Sequence, residues 1–448
     1  MKKLIGIIVF STCFLSHNVK GQEVKELTLK DALTYALQNK ADAIKAKLDI
    51  ENSNFQIQEV RSRALPQVTI NGSLNYNPIL QLNALPGDFF GAPGTTILAP
   101  LGQKWNSIGG VTLTQVLFDQ SVFTGLKAAK TTREFYQINS DLTDEQLIER
   151  VANAYYQIYV QQLRLEIVEN NLQNATKIRD VILGQYNNGL ARKIDLDRIN
   201  VRVNNINSTR QQLINAISIQ ENALKFYMGM PFENKIVIAK TAFEFKPEDL
   251  STSLDINNKT EYMLLKKQEE LLLYQKKSFQ ASYYPVLSLT GSFNYFGQGP
   301  EMPLFAKPSD GVFWSDFSTI GLNLRIPVFT GFSTKSKVKQ ADNAIKKLQA
   351  DIEDTKIALD FAFENSKKQI ENSLITISNQ KENVKLAQSV LDNTNNNYLQ
   401  GLATLTDLLD AESALVEAQN NYNNAILEYK LAEIQFLKSK GELKSLKN

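Results

Sequence analysis

The stretch Tyr398-Leu-Gln-Gly401-Leu-Ala-Thr404-Leu-Thr-Asp407-Leu-Leu-Asp410-Ala-Glu412 decides how this chain folds, because residues 186–198 repeat it as Tyr186-Asn-Asn-Gly189-Leu-Ala-Arg192-Lys-Ile-Asp195-Leu-Asp-Arg198. Tyr, Gly-Leu-Ala and Asp recur with a constant offset of 212 residues. In each copy the glycine stands where a helix can end in a left-handed residue. A carboxylate six residues later stands where the next helix begins, the end at which the helix dipole favours negative charge. Gly189 and Gly401 are therefore expected at the tips of two equivalent helical hairpins.

The segments flanking these turns are built for length. All twelve prolines lie within 66–100, 231–247 and 285–327, and glycine is absent from 126–183, 190–228, 332–400 and 402–440. Proline and glycine are the main helix breakers, so these four stretches read as uninterrupted helices. A segment of about 65 residues spans roughly 100 Å, far more than a globular core needs. Their apolar residues repeat every seven positions. Leu408, Leu415, Tyr422, Tyr429 and Phe436 form one series, each of the first four followed three residues later by Ala411, Ala418, Ala425 or Ala432. This is the seam of a coiled coil. The preceding helix carries Phe363, Ile370, Ile377, Val384, Leu391 and Tyr398, while its earlier Ile345, Ile352 and Leu359 are out of phase by four residues, a stutter. Val151, Ile158, Leu165, Leu172, Arg179 and Tyr186 are the first-half counterparts, and Leu196, Val203, Ile217 and Leu224 match the last helix.

Shorter helices are expected over 28–64, opened by Thr28 with Asp31 in its first turn, and over 258–283. Each stops before a proline, at Leu65-Pro66 and Tyr284-Pro285. The period then changes to two. Val68, Ile70, Leu74 and Tyr76 alternate with Thr69, Asn71, Ser73 and Asn75, and Leu287, Leu289, Phe293 and Tyr295 alternate with Ser288, Thr290, Ser292 and Asn294. Returning strands are expected over 106–118 and 317–329, the latter with Ile320, Leu322, Leu324, Ile326 and Val328 on one face, after Gly/Pro-rich loops 77–104 and 297–312. One apolar and one small polar face over about ten residues suits a transmembrane barrel. A sandwich with its apolar face inward is the alternative, weakened by having only four strands. Four strands cannot close a barrel, and an open edge is not tolerated in lipid; three copies would give twelve strands, which can close.

The expected fold class is thus an α + β membrane protein with an internal two-fold repeat. Long antiparallel helical hairpins form an α-barrel, and each chain contributes four strands to a trimeric twelve-stranded β-barrel. The expected division is 1–21 signal peptide, 22–230 first repeat, 231–257 equatorial connector, 258–440 second repeat and 441–448 tail. Lys235–Ile238 is a short strand candidate that, with the tail, would belt the helical tube.

The N-terminus reads as a secretory signal: Lys2 and Lys3 precede the apolar run from Leu4, and Gly21 offers a cleavage point before Gln22. Lipidation at Cys13 competes with this reading, but Phe10-Ser-Thr before it and Phe14 after it make a poor lipidation site. Removing 1–21 takes away Lys2, Lys3 and Lys20 and no acid, so the formal charge goes from +2 to 2 − 3 = −1. That balance argues against a nucleic-acid partner. The same cut removes Cys13 and His17, the only cysteine and histidine. Thiol nucleophiles, Ser-His-Asp triads, disulfides and His- or Cys-ligated metals are thereby excluded. No cofactor is expected, and only carboxylate chemistry would remain for an enzyme.

The mature chain resembles the TolC family of outer-membrane efflux channels. The resemblance rests on Leu27-Thr-Leu-Lys-Asp-Ala-Leu33, the strand entries at Pro66 and Pro285, Leu117-Phe118-Asp119, the duplicated Tyr-x-x-Gly turns, Asp407-Leu-Leu-Asp-Ala411 and Tyr422-Asn-Asn-Ala425. It implies a homotrimer in outer-membrane lipid of a Gram-negative cell, with a long periplasmic α-barrel docked to a periplasmic adaptor and an inner-membrane pump. It implies a passive conduit and no catalysed reaction. Asp407 and Asp410 fall on the acidic motif that rings the family's periplasmic constriction and favours cations; helix-start carboxylates are the simpler reading, and the two are compatible. Tyr398 and Asp195 match a Tyr and an Asp of the family's closing latch. The latch's basic position falls at Ala403, leaving Arg192 as the available substitute, and Tyr398 also continues the apolar stripe. Arg198 stands where Asp410 does in the other copy, so the second hairpin is the one expected to line the pore. Two further readings stay open: a channel for type I protein secretion, and a periplasmic coiled-coil adaptor or structural protein.

Overall fold

A computed structural model describes residues 26–239 and 253–447; the expected signal peptide and the middle of the connector lie outside the described residues. The first repeat comprises β1 (Glu26–Leu27), α1 (Leu29–Asn39), α2 (Ala41–Ser62), β2 (Gln67–Tyr76), β3 (Leu82–Pro86), β4 (Thr96–Pro100), β5 (Trp105–Phe118), α3 (Gln120–Asn187) and α4 (Lys193–Met228). After β6 (Val237–Ile238), the second comprises α5 (Thr260–Ala281), β7 (Val286–Gly299), β8 (Phe313–Arg325), α6 (Ser333–Leu399) and α7 (Leu405–Lys440).

The long helices form as their composition requires. α3 has 68 residues and α6 has 67, so each runs roughly 100 Å. α2 and α4 pack along different parts of α3, α5 and α7 along different parts of α6, and α3 also meets α5 and α7. The seven-residue series is the buried seam: Val151, Ile158, Phe363, Ile370, Ile377, Leu408, Leu415, Tyr429 and Phe436 are all buried, as are Ala411, Ala425 and Ala432. The stutter between Leu359 and Phe363 marks a change of partner. Before it, Gln349 reaches Glu269 of α5; after it, Phe363 stacks on Phe436 of α7 with ring centroids 6.0 Å apart. A shift in phase turns the apolar stripe around the helix, which is what facing a new neighbour requires.

The expected helix 28–64 is two helices. Lys40 breaks it with an extended backbone (φ −68°, ψ 130°), although neither proline nor glycine is present there. The cause is tertiary. α4 ends in a left-handed Gly229, where a Cβ would lie 2.9 Å from the Asn39 carbonyl oxygen. Lys40 Nζ donates to the Phe226 carbonyl at 2.8 Å and lies 3.9 Å from the Phe226 ring centroid.

β2, β5, β7 and β8 form one antiparallel sheet in that order. Register places Val68, Ile70, Val111, Leu113, Leu287, Leu289, Ile320, Leu322 and Leu324 on one face. Among the described residues no second sheet covers that face: Ile70 is 81%, Ile320 83% and Leu322 68% exposed. The sandwich alternative is thereby removed. Toward the far end of the same face Tyr76 packs on Trp105 (4.6 Å) and Tyr295 stacks on Trp314 (4.7 Å), an aromatic row of the kind that flanks the apolar band of a membrane barrel. Among the described residues β2 and β8 each keep one edge unpaired.

Two local expectations are corrected. β8 ends at Arg325, four residues short of the expected 329, and a left-handed turn at Gly331 (φ 59°) and Phe332 (φ 62°) leads into α6. The first repeat instead passes straight into α3, because the Asp119 carboxylate accepts from the Ser121 N–H at 2.7 Å and caps it. Residues 77–104 are also more than a loop, since β3 and β4 pair there as an antiparallel hairpin.

The largest buried cluster lies midway along α3, where Leu33, Tyr155, Ile158, Met228, Ile238, Ile434 and Leu443 meet. β6 pairs with β1 in parallel. The C-terminal 3-10 helix, Leu443–Lys447, packs on α1 and α3. The described parts of the connector and tail thus lie against the middle of the helical stem.

Candidate functional site

The two hairpin tips are built alike. Gly189 (φ 75°) and Gly401 (φ 74°) are left-handed, and Leu190 N–H donates to the Gln185 carbonyl as Leu402 N–H does to that of Asn397, both at 2.8 Å. This is the Schellman ending. A Cβ at either glycine would meet nothing within 4 Å, so glycine serves the backbone angle and not space.

The helix starts after the turns differ. At the second tip Thr404 and Asp407 form a reciprocal box: Thr404 Oγ1 accepts from the Asp407 N–H at 3.2 Å, and Asp407 Oδ2 accepts from the Thr404 N–H at 2.8 Å and hydroxyl at 2.7 Å. These bonds hold the Asp407 carboxyl below the usual carboxylate range. Thr404→Ala is expected to destabilise this helix start by about 1 kcal/mol, read as faster amide exchange over residues 405–409 with residues 193–197 unchanged. Asp410, one turn further on, is exposed and borders a cleft between the hairpins.

At the first tip Arg192 binds Asp195 within its own turn, Nε to Oδ2 at 2.9 Å and Nη2 to Oδ1 at 3.2 Å. Both side chains are in one hairpin, and the guanidinium is satisfied three residues away. Tyr398 is half-buried among Leu405, Leu409, Ile199 and their neighbours. Burial first, and the nearby Asp195 charge second, raise its hydroxyl pKa, while Asp195 is engaged by Arg192. Packing is the role its contacts support.

The polar link between the hairpins is made by Arg198, noted above only as the counterpart of Asp410, and by Arg202, which carries no motif. Arg198 Nη1 of α4 donates to Thr406 Oγ1 of α7 at 2.7 Å, and one turn on Arg202 Nη1 donates to Ser413 Oγ at 2.7 Å. Arg202 also lies 3.5 Å from Glu412, whose side chain is 8% exposed. Glu412 Oε2 and Arg202 Nε are both buried without a hydrogen-bond partner. Burial raises the Glu412 carboxyl above the usual range, and the Arg202 charge draws it partly back. Arg198 and Arg202 occupy the positions of Asp410 and Ala414 in the repeat, so the two hairpins differ in charge there. Arg198, Arg202, Thr406 and Ser413, with Asn205, Glu417 and Asn421, line the cleft that Asp410 borders.

A family model described as outer membrane efflux protein matches residues 32–230 and 266–442. The chain belongs to that family. It is 23% identical over 450 residues to the outer membrane protein TolC of Vibrio cholerae serotype O1, covering 99% of this chain and 96% of that protein. It is 22% identical to the alkaline protease secretion protein AprF of Pseudomonas aeruginosa over 72% of this chain and 67% of that one. Its fold matches the crystal structure of the outer membrane protein VceC from Vibrio cholerae with a TM-score of 0.72 at 17% identity, covering 92% of this chain and 96% of that one.

As an outer membrane efflux protein, the chain is a channel component whose place is the outer membrane. The division of labour follows from its two parts, a helical-barrel segment and a β segment. No helix among the described residues is long and apolar enough to cross a membrane, whereas the sheet presents a bare apolar face flanked by aromatic residues.

Proposed function

We propose that three copies of this outer membrane efflux protein close a twelve-stranded barrel in the outer membrane and a helical tube in the periplasm. The assembly is a passive conduit for substrates delivered by an inner-membrane pump through a periplasmic adaptor, and it catalyses no reaction. The observation that carries the reading is the four-stranded sheet with one apolar face and two open edges. In lipid an unpaired strand edge leaves polar backbone groups without partners, and β8 of one copy meeting β2 of the next removes every edge. Ile357, Phe361, Ile375, Leu386 and Val390 add support, being exposed along α6 in the single chain by 54–69% and suited to cover by a neighbouring copy. Outer-membrane fractions run on gels with and without heating test the assembly. A heat-sensitive band at three times the chain mass is expected; full solubility without detergent would sink the proposal.

In this reading Asp407 and Asp410 ring the narrow periplasmic end. The capping role of Asp407 does not compete with it, because a carboxylate bonded at one oxygen still carries its charge. Three copies set six carboxylates around one axis, and such a ring attracts cations. Replacing both with alanine is expected to lower cation selectivity in planar bilayers and weaken block by a multivalent cation on the order of tenfold. Unchanged selectivity would remove the two residues from the pore.

AprF carries protein secretion in its name, and the type I secretion reading keeps the same fold and trimer. A gene for a peptidase-containing exporter beside this one would favour it; a resistance-type pump and adaptor would favour efflux.

A further inference from the structure

The β3–β4 hairpin is too apolar for its position. Residues 77–104 carry only Asp88 and Lys104 as charged side chains. Register puts Leu82, Ala84, Pro86, Leu98 and Pro100 on one side of the hairpin and pairs Leu85 with Ile97 on the other. Leu82 is 56% and Leu98 64% exposed, and the flanking Ile79 and Leu101 are 89% and 56% exposed. Two strands alone are marginally stable in water, and an exposed apolar patch of this kind marks a contact surface.

Its place argues for a second copy as the cover, not lipid. The hairpin leaves the sheet beyond Tyr76 and Trp105, past the aromatic row, and is tied off where the Asn77 N–H donates to the Lys104 carbonyl at 2.7 Å. It therefore stands outside the hydrocarbon. On the face of the sheet opposite the aromatic row, at this end, Ile108 pairs with Phe296, and Phe313 and Phe317 follow on β8. Phe313 is 67% and Phe317 47% exposed. On the aromatic face at the same level the cross-strand rows are Leu74, Ser107, Gly297 and Trp314, then Gly72, Gly109, Tyr295 and Asp316. The apolar surface thus continues inward, onto the wall that faces the barrel interior, as well as along the aromatic row. The hairpin also springs from β2, the edge strand that a neighbouring copy must pair, so it is continuous with the seam between copies.

We infer that the three β3–β4 hairpins of a trimer pack on one another over the outer mouth of the barrel and form an apolar closure above the phenylalanine-lined inner rim. The inference rests on the trimer proposed above. The mature chain lacks cysteine, so single Leu98→Cys and Leu85→Cys variants, on opposite faces of the hairpin, report contacts cleanly. Each is oxidised with copper phenanthroline as assembled protein in outer-membrane vesicles. At least one is expected to give a chain-to-chain disulfide in about two of three chains, the maximum a three-fold cluster allows. A heat-sensitive trimer with no cross-link, both thiols reacting freely with a water-soluble maleimide, overturns the closure and leaves the trimer standing. A trimer in which the thiols are shielded and quenched by a lipid-borne probe overturns it in favour of lipid contact. Absence of the trimer band in the unoxidised protein overturns both.

Discussion

Leu322→Arg is expected to abolish assembly in the outer membrane, with the chain accumulating in the periplasm. Leu322 lies opposite Leu289, on the face shared with Ile320 and Leu324, and is 68% exposed. If that face meets lipid, a guanidinium near the middle of the bilayer costs about 2–4 kcal/mol per strand. The cost recurs in each copy of the proposed trimer, because four strands alone would leave open edges in lipid. The adjacent Asn323→Arg is the control: its side chain projects from the opposite face of the same strand, the one that would face the water-filled lumen of the proposed barrel, and assembly is expected to be close to normal. Quantitative blotting of the heat-sensitive trimer for both variants decides the orientation. Normal assembly of Leu322→Arg together with failure of Asn323→Arg would reverse it.

Arg202→Ala is expected to separate the two hairpins of one chain near their tips. Glu412 would then be a buried carboxylate with no counter-charge, and breaking such a pair costs about 3 kcal/mol. Amide exchange over residues 198–206 and 405–413 should accelerate on the order of a hundredfold, with the mid-stem residues around Tyr155 unaffected. Arg202→Leu combined with Glu412→Leu should recover most of the loss, since an apolar pair of similar volume replaces the charges without leaving one alone. Recovery of this kind distinguishes an ion pair from mere bulk. Acidity acts on the same contact. Because burial raises the folded pKa of Glu412 above the unfolded value of about 4.3, its contribution is complete below that unfolded value and is lost as pH rises through the raised folded value. The α4–α7 contact should be firmest in mild acid and loosen toward neutrality, and Glu412→Gln should flatten that dependence. Asp407 runs the other way. Its carboxyl is held low by the Thr404 bonds, so its stabilisation is present above about pH 4 and is lost as pH falls through the lowered value.

Much of this architecture is local chemistry, and local chemistry is written in residue order. Gly189 and Gly401 announce left-handed helix ends whatever surrounds them. The absence of proline and glycine over sixty residues announces a long helix, and the seven-residue series names its buried side, as Ile158, Ile370 and Tyr429 show at 0% exposure. Alternation along β7 and β8 names the face that Leu289 and Leu322 share. The repeat then multiplies each signal, because a pattern seen twice at one offset is not chance. The tip site was only partly legible. Asp407 and Asp410 could be picked out by type and spacing, and the Thr404 box follows from an N-cap three residues before an acid. Arg202 and Glu412 gave no such sign: 210 residues separate them, and nothing local tells which cation will lie against which buried acid.

The sequence by itself thus determined the long helices, the sheet strands, their order, their duplication and their buried and bare faces, since each depends on backbone angles and periodicities that neighbouring residues control. Tertiary structure alone decided where those elements meet. The break at Lys40 comes from Gly229, nearly 190 residues away. The change of partner along α6 comes from where α5 begins and α7 ends. The capture of Arg192 by Asp195, which hands the joining of the hairpins to Arg198 and Arg202, comes from how far each side chain reaches once the backbones are in place. Contact between distant residues depends on the approach of whole helices, and that approach is a property of the packed chain and of no stretch within it.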